Sequence, residues 1–252
     1  MKALAVAAAL LLATPALAGP AADAFRAGNW PAVITAGRAE ATPDALVLAG
    51  RAQTVVAVYQ TADKARVRTL LAAAEADFAA AEKRDPANLD AILQRGIAVG
   101  YAAKLDRSPG GAKTARRAFE HVLSKRPNDA VALAAMGGWH GESVATLGSF
   151  IAGTVLGAKR ADSVRFFDRA IAADPTSPVH PTFYASTLLA LDADNAAKAR
   201  TLLERADKAT AKDGFEALLQ RQAREILAPL AKGDIKTARA TAQRIGPLGT
   251  VR

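Results

Sequence analysis

Cysteine is absent from this 252-residue sequence, and aromatic residues make up only 5% of it. Without cysteine the chain has no disulfide bond, no thiolate nucleophile, no cysteine-ligated zinc or iron–sulfur cluster, and no attachment site for a bacterial lipoprotein's lipid. Apolar residues reach 51% and charged residues 23%, a composition typical of a folded globular protein. The length is sufficient for one or two domains with a buried core.

Alternating β-branched runs, which are typical of strands, are also nearly absent, whereas alanine, leucine, arginine and lysine dominate. The sequence therefore predicts helices throughout. Turn signals rich in glycine, proline, asparagine and aspartate separate several pairs of them. The predicted pairs include 21–27 with 30–39, 43–60 with 64–83, 185–191 with 196–209, and 214–230 with 235–245.

The first eighteen residues have the pattern of a secretory signal. Lys2 gives a positive start, residues 3–13 are uniformly apolar, and residues 16–18 (Ala-Leu-Ala) form a small-x-small cleavage site. Such an apolar run spans about 16 Å as a helix, too little for a hydrocarbon core of about 30 Å. We expect residues 1–18 to be removed and residues 19–252 to be exported to the periplasm. A retained N-terminal anchor or first helix is the alternative.

Three segments share one spacing, in which a phenylalanine precedes a proline by eight residues and a small residue follows that proline by ten. A small or β-branched residue also lies three positions after each phenylalanine, on the same helical face. Because proline ends a helix and a small residue permits close approach, the spacing predicts closely packed helical pairs. The three sets are Phe78, Pro86 and Gly96; Phe119, Pro127 and Gly137; and Phe167, Pro175 and Ala185.

This pattern resembles the tetratricopeptide repeat, a helix–turn–helix unit that stacks on its neighbours. The repeat normally has about 34 residues. Here Pro86 and Pro127 are 41 residues apart, and Pro127 and Pro175 are 48 apart. We therefore expect one domain, an all-α, tetratricopeptide-like solenoid of five to six helical hairpins with lengthened helices or turns.

One segment narrows the resemblance. Gly137 begins a Gly-Gly-Trp-His string, an apolar insertion follows, and the next predicted helix contains Phe166 and Phe167. This arrangement is similar to that of the regulator of microtubule dynamics family, over about residues 78–208. The resemblance implies a helical repeat domain. The family name comes from eukaryotic members, and an exported protein would not meet microtubules, so we do not expect that function here.

Candidates for catalytic chemistry are few. His140 and Glu142 form a His-x-Glu pair, but zinc deaminases also need a downstream Cys-x-x-Cys that this chain lacks. The three histidines show no metal-ligand spacing, and the glycine pairs lack the lysine of a phosphate-binding loop. We expect no catalytic residue, no cofactor and no metal, and therefore no enzymatic activity.

Residues 144–158 form a long uncharged stretch after the predicted signal, and they include Gly148, Gly153 and Gly157. These fifteen residues would span about 22 Å as a helix, too short to cross a bilayer. We expect a buried helix whose glycines permit close packing. A partner-binding or membrane-touching insertion is the alternative.

The helix positions that line the concave groove of the repeat family are mostly small or apolar in this chain. Trp139 combines a large apolar face with one N–H donor, and His140 titrates near neutral pH, so we expect the main contact surface nearby. The predicted partner-binding residues are Leu93, Ile97, Ala134, Gly138, Trp139, His140, Gly141, Thr182, Ser186 and Leu189.

The formal net charge of +9 comes from dispersed basic residues that do not alternate with aromatic ones. This predicts a solvated surface and no nucleic-acid partner, with weak attraction to anionic lipid or cell-wall polymers as a second interpretation. The favoured function is an exported, non-enzymatic scaffold that binds a protein or peptide and does not span the membrane. A looser likeness to repeat proteins of tripartite transporters suggests an alternative, a transport accessory with a small apolar ligand in a closed cavity.

Overall fold

The computed structural model describes residues 19–252, and all regular elements within that range are helices. The predicted secretory signal at residues 1–18 lies outside the described residues. A short π-helical turn follows α8, and a 3₁₀ turn precedes α11. The α-helices are α1 (Pro20–Ala27), α2 (Trp30–Glu40), α3 (Pro43–Gln60), α4 (Lys64–Arg84), α5 (Leu89–Asp106), α6 (Pro109–Lys125), α7 (Ala130–Leu147), α8 (Ser149–Ile151), α9 (Arg160–Ala173), α10 (Val179–Leu191), α11 (Ala196–Lys208), α12 (Gly214–Ala231) and α13 (Ile235–Ile245).

Successive long helices pack as six hairpins: α1 with α2, α3 with α4, α5 with α6, α7 with α9, α10 with α11, and α12 with α13. The predicted all-α solenoid of five to six hairpins is confirmed. Helix starts are encoded locally, because a polar side chain before the helix accepts a hydrogen bond from a backbone N–H of the first turn. These capping residues are Asn29, Thr42, Asp63, Asn88, Ser108, Asp129, Asp213 and Asp234.

The phenylalanines of the repeat spacing are buried, each against a glycine in the first helix of its own hairpin. A Cβ added to Gly137 would lie 2.8 Å from a ring atom of Phe167, closer than a side-chain carbon can approach. The small residue therefore admits the aromatic ring of the partner helix. The pairs are Gly50 with Phe78, Gly96 with Phe119, and Gly137 with Phe167.

The array of hairpins is a ribbon with two edges. The turns inside hairpins lie along one edge, which we call the hairpin-turn edge. The turns between hairpins lie along the other, which we call the connecting edge. An 18-residue helix such as α7 is about 27 Å long, so this length separates the two edges.

The ribbon closes on itself after one superhelical turn. Gly28, in the first hairpin turn, touches Gly214 at the start of α12; a Cβ on Gly214 would lie 2.3 Å from the Gly28 Cα. After α13, the backbone N–H of Leu248 donates a 2.8 Å hydrogen bond to the carbonyl of Val58 in α3. The connecting edge of the last hairpin therefore meets the hairpin-turn edge of the first two, along a contact that we call the seam.

Candidate functional site

None of the ten predicted partner-binding residues is exposed. Leu93, Ile97 and Trp139 meet in one cluster of the core, whereas Ala134 and Leu189 belong to another. In the structure, the predicted partner-binding residues therefore contact other residues of the same chain. The buried residues of the set are Leu93, Ala134, Trp139, His140, Gly141, Thr182 and Leu189, and the half-buried ones are Ile97, Gly138 and Ser186.

Trp139 joins α7 to α6. Its indole N–H donates a 2.8 Å hydrogen bond to the carbonyl of Ala112, and the guanidinium of Arg116 lies over its ring, 5.2 Å from the centroid. A buried indole N–H requires such an acceptor, because burial without one costs about 1–3 kcal/mol. Trp139 therefore holds α6 and α7 together and has little of its surface free for a partner.

His140 joins α7 to the start of α9. Its Nδ1 accepts a 3.1 Å hydrogen bond from the backbone N–H of Lys159, and its ring stacks on Phe166 with centroids 5.7 Å apart. Burial lowers the pKa of His140 from 6.5 to about 4, because desolvation disfavours the charged imidazole. The ring is therefore neutral at neutral pH, the state in which Nδ1 can accept a hydrogen bond.

The glycines around Trp139 are sites of close approach. A Cβ added to Gly141 would lie 2.2 Å from the methyl carbon of Thr187 in α10. The carbonyl of Gly137 accepts a 2.7 Å hydrogen bond from the hydroxyl of Ser163 in α9. Each glycine costs about 1 kcal/mol of helix propensity relative to alanine. The packing of α9 and α10 against α7 accounts for that cost without a ligand.

The insertion after α7 is not the buried helix that its apolar composition predicted. Gly148 and Gly157 have φ of 77° and 72°, values that break the helix at both ends. Between them α8 and the π-helical turn form a short protruding segment, which we call the strap and define as residues 148–158.

The strap is fixed to the body on one side and exposed on the other. Its inner residues Ala152, Leu156 and Ala158 are buried, and Arg116 Nη1 donates a 3.1 Å hydrogen bond to the carbonyl of Leu156. Outside, an apolar patch is exposed to solvent. Its side chains are Leu147 (39% exposed), Phe150 (82%), Ile151 (49%) and Val155 (41%).

This exposure is concentrated in one place. Among residues 19–252, the only other large apolar side chain that is exposed is Val131, at the opposite end of α7. Single exposed apolar residues are ordinary in soluble proteins, but a contiguous patch marks a contact surface. The patch lies on the hairpin-turn edge of the ribbon.

On the connecting edge lies a cleft of about 770 Å³ that the sequence did not indicate. It opens between the turn after α9 and the segment between α11 and α12. Arg205 donates a 2.9 Å hydrogen bond to the carbonyl of Pro175, and Lys212 Nζ donates one of the same length to the Thr176 hydroxyl. The lining residues are Pro175, Thr176, Thr201, Glu204, Arg205, Lys208, Ala209, Thr210 and Lys212.

The cleft has an excess of positive charge. Glu204, the one acidic residue of its lining, is held 2.8 Å from Nε of Arg200, which lies outside the cleft. The nearby Asp207 is paired with Arg224. Arg205, Lys208 and Lys212 form no ion pair within residues 19–252. Another carboxylate near the cleft is that of Asp174, which accepts a 3.1 Å hydrogen bond from the Thr176 hydroxyl.

No group of three or more metal-ligating side chains occurs within residues 19–252, and no helix in that range is long and apolar enough to cross a membrane. Comparison with known proteins adds no family: no protein-family model matches the chain, and no curated protein is significantly similar to it.

Proposed function

We propose that this protein is an exported, non-enzymatic helical-repeat scaffold that holds a protein or peptide partner in the cell envelope. The observation that carries the proposal is the cationic cleft on the connecting edge. The cleft is open to solvent, as a site for an extended segment of a partner would be. Export rests on the signal pattern of residues 1–18.

The chemistry of the cleft favours an acidic segment of the partner. Arg205, Lys208 and Lys212 supply positive charge, and the Thr210 hydroxyl supplies a hydrogen-bonding group for a peptide backbone. The hydroxyls of Thr176 and Thr201 already donate within the chain. Arg205 and Lys212 are each pinned by a hydrogen bond across the cleft, so little side-chain freedom remains to be lost on binding. The cationic lining does not favour the alternative of a closed apolar cavity.

Site-specific photo-crosslinking in the native envelope tests this proposal. A crosslinking residue at Thr210 should capture a discrete partner, whereas one at Lys236, on the hairpin-turn edge, should not. The double change Lys208→Glu and Lys212→Glu should abolish the adduct, because it reverses the charge of the cleft. The matched change Lys236→Glu should leave it intact. An adduct at Thr210 that survives the double reversal would show that the charge of the cleft does not hold the partner, and the absence of any adduct at Thr210 would place the partner elsewhere on the scaffold.

A further inference from the structure

The apolar patch on the strap has a different character from the cleft and lies on the opposite edge of the ribbon. The patch protrudes and is convex, with Phe150 82% exposed at its tip. A convex apolar tip needs either a matching pocket on its partner or a fluid surface that it can enter. The charges and hydrogen bonds around the strap distinguish these possibilities.

Part of the strap's backbone is hydrogen-bonded within the chain. The N–H groups of Ala152, Gly157 and Ala158 donate to carbonyls of the strap itself, and the Leu156 carbonyl accepts from Arg116. The hydroxyl of Thr154 donates to the Phe150 carbonyl at 3.0 Å. Each backbone group that is paired in this way lowers the cost of leaving water for a lipid interface, whereas the first turn of α8 has no side-chain cap.

The charges beside the strap are positive. Lys159 follows it directly, and Lys113 and Arg117 lie within one turn of Arg116 on α6, the helix that contacts the strap through Arg116. All three are exposed and form no ion pair within residues 19–252. The acidic residues nearby are each paired with a cation: Glu120 with Arg116, Glu142 with Lys104, and Asp162 with Arg165.

We propose that the strap docks the protein on an anionic lipid surface, with Phe150, Ile151, Val155 and Leu147 entering the interface and Lys113, Arg117 and Lys159 facing the lipid headgroups. Apolar insertion combined with a basic rim is the pairing that peripheral membrane segments use. A second copy of this chain fits less well, because two straps in contact would bring like charges together. The docked protein keeps the cationic cleft on its opposite edge, free for a partner.

Sedimentation with lipid vesicles tests the docking. The mature protein should sediment with vesicles of phosphatidylglycerol mixed with phosphatidylcholine, and much less with phosphatidylcholine alone. Added salt should weaken binding, because the basic rim contributes through charge. Replacing Phe150 and Ile151 together by Ser should lower the partition coefficient by at least about tenfold.

Two variants complete the design. Val131→Ser removes the other large exposed apolar side chain, at the far end of α7. The variant should partition within about twofold of the parent protein, because a single exposed apolar residue outside the patch does not contribute to lipid binding. Phe150→Trp should show a blue-shifted emission on anionic vesicles, because its indole leaves water. Circular dichroism verifies that each variant remains folded.

Two results would overturn the inference: no sedimentation of the parent protein with anionic vesicles, or equal binding by the parent and the Phe150/Ile151 double variant. A partner captured through Phe150 in the absence of lipid would also overturn it, in favour of a protein interface. The cleft experiment is independent of all three outcomes, so a failure here leaves the scaffold proposal standing.

Discussion

Nδ1 of His140 accepts its hydrogen bond from the backbone N–H of Lys159, across 19 positions of the sequence. The bond closes the base of the strap, because His140 lies in α7 and Lys159 immediately precedes α9. It exists only while Nδ1 carries no proton. The position of the strap is thereby linked to the ionisation of one buried histidine.

The unfolding free energy should fall as the pH is lowered from about 6.5 to about 4. In this window the unfolded chain binds a proton at His140 and the folded chain does not, because burial holds the folded pKa near 4. The charge of Asp162 partly offsets this effect, whereas Arg116 reinforces it. The loss can reach about 3 kcal/mol. Urea unfolding across this range measures it.

His140→Asn isolates this contribution, because an asparagine oxygen can accept the same hydrogen bond without titrating. The variant should show a flatter pH dependence than the parent protein. His180 remains in both proteins, and its pKa is also lowered by burial, so part of the dependence should persist. His121→Asn, at an exposed position, is the control. Identical profiles for the parent and His140→Asn would refute the assignment.

Phe119→Ala should lower the unfolding free energy by about 3–5 kcal/mol, because it leaves a cavity beside Gly96 in the core. Phe78→Ala and Phe167→Ala should behave similarly. Phe150→Ala is the matched control, since the same change at this exposed ring should cost no more than about 0.5 kcal/mol. Chemical denaturation of the four variants measures the contrast. Losses below about 1 kcal/mol at all three buried sites would show that the hairpin packing is different.

Gly214→Ala tests the seam. Its new methyl group would be forced against the backbone of Gly28, so the first and last hairpins must separate, at a cost of at least about 1–3 kcal/mol. Gly110→Ala adds a methyl group at a helical position with open space around it and should be neutral or stabilising by up to about 1 kcal/mol. Hydrogen exchange should also show faster exchange of the Leu248 amide in Gly214→Ala alone. Equal stability of the two variants would argue against closure.

The N-terminal sequence of the exported protein should begin at Gly19. Cleavage there creates an ammonium group beside Glu40, whose carboxylate accepts a 2.7 Å hydrogen bond from the Ala21 backbone N–H. Glu40→Gln should therefore destabilise a chain beginning at Gly19 by about 1 kcal/mol. The same change should cost less when extra residues precede Gly19. A secreted chain that retains Leu10–Leu12 would contradict the predicted processing.

Helical pairing could be predicted because its signals are local. The start and end of α13 were predicted at the observed residues, since Asp234 caps the helix and Gly246 follows it. The buried phenylalanines followed from their fixed distance to a proline. The contact of Gly50 with Phe78 was not predicted. Gly96 and Gly137 each follow a repeat proline by ten residues, but no proline lies ten residues before Gly50, so the spacing did not identify it.

The strap and the cleft could not be predicted for different reasons. Apolar composition favours burial, but the strap's glycines at 148 and 157 adopt positive φ and turn part of the segment outward. No local sequence pattern shows which side chains between the two glycines face the core and which face solvent. The cleft is formed by segments that are distant in the sequence, such as Thr176 and Lys212, which are 36 residues apart. Its shape depends on how neighbouring hairpins are rotated relative to each other.

The seam has a consequence for the order of events in folding. It joins Gly28 to Gly214 and Val58 to Leu248, residues at nearly opposite ends of the chain. A chain that is synthesised from its N-terminus can complete its early hairpins at once, but their exposed edge must wait for the last residues to arrive. Until then the first hairpins carry an uncovered apolar rim at Tyr59, which Phe215 later contacts. We expect nascent chains truncated before α12 to be the species that aggregates or recruits chaperones.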